Sequence, residues 1–115
     1  MYTIRQREEL VMNVPALDKE GFLRNLSDWS PGVAEQLAEA EGIQLTEAHW
    51  CIIRLVRDYY ASYAIAPATR VLVKLVREQL GAEKGQSIYL MQLFTGKPAK
   101  LVSKIAGLPK PANCD

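Results

Sequence analysis

Histidine occurs once in this chain of 115 residues and cysteine twice. His49 has no second histidine and no cysteine at ligand spacing, so a zinc site of the usual kind is not expected. Two cysteines are too few for a disulfide framework. The chain holds no Cys-x-x-Cys pair, no Gly-x-Ser-x-Gly elbow and no glycine-rich phosphate loop, and no Ser/His/Asp spacing singles out a triad. Long hydrophobic runs are missing too: no stretch approaches the ~20 apolar residues of a membrane span. The opening MYTIRQREELV is polar and alternating, unlike a secretory leader. A soluble, cytoplasmic protein is expected, with neither metal nor organic cofactor. The length suits one domain.

What is present is a chain able to build its own core, with hydrophobic residues at 49% and charged residues at 23%. The net charge of +1 conceals an asymmetry. Residues 1–69 carry six Lys/Arg against ten Asp/Glu, net −4, and residues 70–115 carry eight against three, net +5. A basic C-terminal third attracts anions or an acidic partner surface. The same lysines would equally decorate an ordinary solvated face.

Tyr2 to Val14 alternates weakly around a polar centre and reads as a short N-terminal β-hairpin, although no Asn-Gly or Asp-Gly turn pins it. Asp18-Lys19-Glu20-Gly21 is a turn, after which Phe22 and Leu23 reach for the core, as a further short strand. Helices follow. Ser30-Pro31 is an N-cap with a first-turn proline, and Gly42 closes that helix. Thr46 caps a second helix with Glu47 in its first turn. Trp50, Ile53, Leu55, Val56, Tyr59 and Tyr60 make it the expected central helix. A third runs from Pro67-Ala68 to Gly81, a fourth from Ser87 to Phe94, and a last from Pro98 to Ala106, closed by Gly107. The remaining GLPKPANCD cannot be helical, because Pro109 and Pro111 favour extended backbone. Stretched out, it spans about 30 Å. The domain organisation is therefore a body over 1–106 and a mobile arm over 107–115.

Four features carry candidate chemistry. Cys114 is an exposed thiol at the end of the arm, with Lys104 and Lys110 to favour thiolate and with Asp115 and the terminal carboxylate to oppose it. The plainer reading is a terminal cysteine without a role. Cys51, within HWCIIRLV, is expected to be a small buried hydrophobe. His49 lies in the first turn of its helix and is expected to be structural, since residues two apart on a helix cannot pair it with Cys51. Arg70, Lys74 and Arg77 share one helix face. That is either a solvated surface or the reading helix of a DNA-binding helix-turn-helix, though Gln79 is its one amide base reader.

The segment KIAGLPKPANCD (104–115) resembles the C-terminal signature of the DsrC/TusE sulfur-relay family. DKEGFL (18–23), DWSPGVAEQLAEAEGIQLTEAHW (28–50), VRDYYASYAIAPATRVLVK (56–74), EKGQSIYLMQLF (83–94) and GKPAK (96–100) agree with it in order. The resemblance implies a mainly α fold: a small orthogonal helical bundle with a helix-turn-helix-like core, an N-terminal hairpin and a flexible C-terminal arm. It implies a sulfurtransferase-type carrier that receives a sulfane sulfur on Cys114 as a persulfide and hands it on. In the DsrC branch a second cysteine stands eleven residues before the penultimate one; here that position is Ser103, which favours the single-cysteine, TusE-like branch. Members of that branch resemble carriers that take sulfur from a TusBCD-type complex and pass it to a tRNA thiouridylase. Arg70, Lys74, Lys84, Lys97, Lys100 and Lys104 are then candidates for docking donor or tRNA-bound acceptor, with direct nucleic-acid contact secondary. A DsrC-like partner protein in sulfite-reductase or sulfur-oxidation metabolism and a helix-turn-helix nucleic-acid-binding regulator are the alternatives. Asp115 departs from the apolar final residue expected of the family.

Overall fold

In the computed structural model, residues 15–112 are described. The expected hairpin over 2–14 and the thiol of Cys114 lie outside them. The described chain is mainly helical. A 3-10 turn over Leu26–Asp28 precedes five helices: α1 (Pro31–Ala40), α2 (Glu47–Tyr63), α3 (Thr69–Leu80), α4 (Ser87–Phe94) and α5 (Pro98–Ile105). Boundaries follow the local chemistry. Ser30 Oγ accepts from the Val33 amide at 3.2 Å, and Pro31 fills the first helical position.

The 18–21 turn closes through its own aspartate. Asp18 Oδ1 accepts from the amides of Glu20 and Phe22, both at 2.9 Å. Gly21 takes φ +87°, which an L side chain resists. The turn brings Leu17 opposite Leu23 in an isolated antiparallel bridge, so the short strand expected at Phe22 and Leu23 is reduced to a single bridge. Phe22 and Leu23 are both buried.

The centre of the body is not the helix whose broad apolar set suggests it. α2 is the longest helix, yet it buries only the stripe His49, Ile52, Ile53 and Val56. Trp50, Leu55, Tyr59 and Tyr60 lie beside that stripe and are half-buried. The helix at the centre is α5, eight residues long, which packs against α1, α2, α3 and α4. Seven of its residues, Pro98, Ala99 and Leu101 to Ile105, are buried. The helix is amphipathic, with Leu101, Val102 and Ile105 on its apolar side, and the body also covers most of Lys100 and Lys104 on the other. Its period therefore marks one face for the core and does not show that the polar face is covered too.

His49 is structural, as expected. Its Nδ1 accepts from the Thr46 amide at 3.0 Å, so the proton sits on Nε2, which donates to the Leu93 carbonyl at 2.8 Å. One imidazole thus caps the start of α2 and the end of α4, edge-on to Phe94.

Candidate functional site: the root of the C-terminal arm

Everything the arm does starts from the C-terminus of α5. There the chain forms a two-bond helix stop: the Leu108 amide donates to the Ser103 carbonyl at 2.9 Å and the Gly107 amide to the Lys104 carbonyl at 3.1 Å. Gly107 has φ +74°, and a Cβ built on it would lie 2.3 Å from Trp29 Cδ1. Only glycine permits both the turn and the ring beneath it. Leu108 then folds back into the core at 3% exposure.

Two side chains from the body complete this stop. Trp29 Nε1 donates to the Ile105 carbonyl at 2.9 Å, and Arg57 Nη1 donates to the Ala106 carbonyl at 2.6 Å. The Arg57 guanidinium also lies 3.7 Å from the centroid of the Trp29 ring. Partial burial pulls the Arg57 pKa down, and the guanidinium stays cationic because its ordinary value is so high. A positive charge at the negative end of α5 is favourable. Nothing local to Trp29 or Arg57 in the sequence signals a partner some fifty or more positions away.

Beyond Leu108 the chain remains on the body. Pro111 is buried, and Lys110 Nζ reaches Glu20 Oε1 at 3.1 Å. Lys100 Nζ, from α5, meets the same oxygen at 3.2 Å. The two ammonium groups hold the Glu20 carboxyl below its ordinary range, Lys110 contributing more. Asp18, which shapes the turn, is also held low, first by the Phe22 amide. Beside this cluster Pro109 and Lys110 face Asp18, Phe22, Leu23, Arg24 and Leu26 across a cavity of about 400 Å³.

The basic docking candidates separate into two groups. Lys100 and Lys104 are committed: Lys104 Nζ sits 3.0 Å from Glu41 Oε2, is itself largely buried, and neighbours Gly21 and the Phe22 ring. Arg70, Lys74 and Lys84 are exposed, as is Lys97 just before α5. The Arg70/Lys74/Arg77 stripe is interrupted, because Arg77 Nη2 donates to the Gly85 carbonyl at 3.3 Å. Lys74 instead shares a surface cavity with Tyr59, Tyr63 and Val71.

Cys51 corrects an expectation. It is half-buried rather than enclosed, with Arg54 Nη2 3.7 Å from its sulfur, because it falls next to the buried stripe of α2 instead of on it. Ser103 occupies the interior of α5, fully buried, and its hydroxyl finds no partner among the described residues. Among those residues no group of three or more His, Cys, Asp or Glu is placed to hold a metal. No helix there is long and apolar enough to cross a membrane.

Comparison with known proteins places this arrangement in context. The family model described as DsrC like protein matches residues 11–114. Sulfurtransferase TusE of Yersinia pseudotuberculosis serotype I (strain IP32953) is 52% identical over 97 residues, covering 84% of this chain and 90% of that protein. Sulfurtransferase TusE of Escherichia coli (strain K12) is 50% identical over 97 residues, covering 84% and 89%. Among solved structures, DsrC of Allochromatium vinosum superposes with a TM-score of 0.79 at 54% identity, covering 87% of this chain and 89% of that one. The oxidized γ-subunit of dissimilatory sulfite reductase (DsrC) from Archaeoglobus fulgidus gives 0.77 at 42%, covering 88% and 92%.

Proposed function

The chain belongs to the DsrC-like protein family, and on that premise we propose that it is a sulfur-relay carrier whose working thiol is Cys114. The observation that carries the choice within the family is Ser103. Identity is about as high to DsrC of Allochromatium vinosum as to the sulfurtransferases named TusE, so overall similarity does not separate the two kinds. A serine enclosed in α5 leaves Cys114 as the one thiol of the C-terminal segment. Chemistry that joins two arm cysteines is closed to this chain, and transfer through a single persulfide remains.

The step needs no oxidant. The Cys114 thiolate attacks the outer sulfur of a donor persulfide, a new S–S bond forms at Cys114, and the donor's S–S bond breaks. The donor cysteine leaves as thiolate and takes up a proton, matching the one Cys114 gave up. Delivery repeats the exchange with an acceptor thiolate. Asp115 stands beside the thiol in sequence and disfavours its ionisation, so the donor's own site supplies the activation. The TusE name borne by the relatives favours a TusBCD-type complex as donor and a tRNA thiouridylase as acceptor, in the cytoplasm.

Incubation with a persulfidated donor, followed by mass spectrometry, tests the proposal. The protein should gain the mass of one sulfur atom, located on Cys114. Cys114→Ser should abolish the gain and Cys51→Ser should leave it intact. A gain located on Cys51, or none at all, overturns the reading.

A further inference from the structure

We propose that Glu20 is a positioning residue for the carrier thiol, an anchor on the body that ties down Lys110 and thereby sets how far Cys114 can travel. The inference rests on Cys114 being the sulfur-bearing residue.

Two kinds of anchor hold the arm root, and they differ in physical character. The first ends at Leu108. It consists of the helix stop at Ser103 and Lys104, the Trp29 ring under Gly107, the Arg57 contact to Ala106 and the burial of Leu108 itself. It is enclosed by the body and insensitive to salt. The second is the ion triplet at Glu20, whose side chain is 45% exposed. Ion pairs at that exposure are weak and are screened by salt. Its strength comes from geometry: the Asp18 turn fixes the backbone of Glu20, and Lys100 already stands against the carboxylate from the central helix. Lys110 therefore closes onto a site that is built before it arrives.

The sequence distance gives this consequence. Cys114 is four residues beyond Lys110 and six beyond Leu108. With Lys110 held, an extended chain limits the thiol to about 14 Å from that residue; with Lys110 released, and with it the buried Pro111 that follows, the tether starts at Leu108 and its limit is about 21 Å. The volume open to the thiol grows about threefold on release, from the cube of those lengths. Pro109 and Pro111 keep the released segment extended instead of letting it collapse. An anchor this weak is opened by any partner that offers its own carboxylate to Lys110.

From residue 108 to 112 the amides are those of Leu108, Lys110 and Ala112, the other two positions being proline, and ¹⁵N relaxation at these three reads the two anchors separately. In the parent protein all three should be ordered, with S² about 0.85. Glu20→Gln should bring Lys110 and Ala112 below about 0.6 and leave Leu108 unchanged. Lys110→Gln should do the same at Ala112, and the double variant should be no looser than either single one. Glu41→Gln, which breaks the Lys104 pair, should leave all three amides as they were. Salt at about 1 M should loosen Lys110 in the parent and have no further effect in Glu20→Gln. An unchanged Lys110 amide in Glu20→Gln overturns the anchor. Sulfur loading of Cys114 by glutathione persulfide, read by mass, should survive in Glu20→Gln. Its failure in parent and variant alike would overturn the carrier reading and leave the relaxation result standing.

Discussion

At Gly107 a single missing methyl group decides whether the last helix can end where it does. Gly107→Ala combines a left-handed backbone with a Cβ driven into the Trp29 ring. The ring must move, and with it the indole bond to Ile105. We predict a loss of about 2–4 kcal/mol, from strain plus one broken buried hydrogen bond, read as a lowered denaturation midpoint. Ser103 is the opposite case. Its buried hydroxyl makes no hydrogen bond among the described residues, so Ser103→Ala removes an uncompensated polar group and only one atom of volume. Stability should rise by about 1 kcal/mol in chemical denaturation; a loss of similar size would mean that the hydroxyl has a partner after all. Neither effect is visible in the sequence. Gly107 was legible as a helix stop, but Trp29 beneath it was not.

Among the elements, α5 is where expectation and structure part. Apolar spacing marks α2 as an amphipathic helix, and the width of its apolar set makes it look central. The structure makes α5 the hub. Truncation should separate the two views. Ile105→Ala, in α5 at 0% exposure, should cost about 2–5 kcal/mol, and Leu55→Ala, beside the buried stripe of α2, clearly less. Equal costs would restore α2 to the centre. The α2–α4 junction depends on one imidazole, so His49→Ala should lose both its cap and its Leu93 bond, about 2 kcal/mol in a denaturation curve. His49 was legible as a first-turn residue with a structural role. Its second partner, 44 positions away, was not.

The whole molecule couples its N-terminal acidic part to its C-terminal basic part. Glu20 with Lys100 and Lys110, and Glu41 with Lys104, are contacts between the two halves of opposite net charge. The basic surplus of the last third is thus spent partly inside the fold, and the cations left on the surface include Arg70, Lys74 and Lys84. The pH response follows from the direction of the Glu20 shift. A carboxyl whose folded pKa is depressed contributes fully above the ordinary glutamate range and loses that contribution as pH falls through the lowered value. The groups facing it are the ammonium groups of Lys100 and Lys110. Asp18, which shapes the turn, is depressed too and keeps its bonds over the same range. The Lys110 amide should therefore stay ordered from neutral pH down through the ordinary glutamate range and loosen only in stronger acid. Loosening near pH 6 to 7 would place its control elsewhere.

The sequence by itself determined the helices and where they stop, because caps, prolines and glycines act within a turn or two of the residues they govern. It also determined the chemistry on offer: one thiol near the C-terminus, a serine where a second arm cysteine would stand, and the KIAGLPKP run that resembles the family. Tertiary structure decided which helix lies at the centre, that Cys51 sits beside the buried stripe, and that Lys100, Lys104 and Lys110 answer to carboxylates at 20 and 41. Those outcomes depend on which surfaces meet across 60 to 90 positions, as the Glu41–Lys104 and Glu20–Lys110 contacts do. Spacing along a chain carries no record of such meetings, since burial and charge pairing are properties of the packed whole.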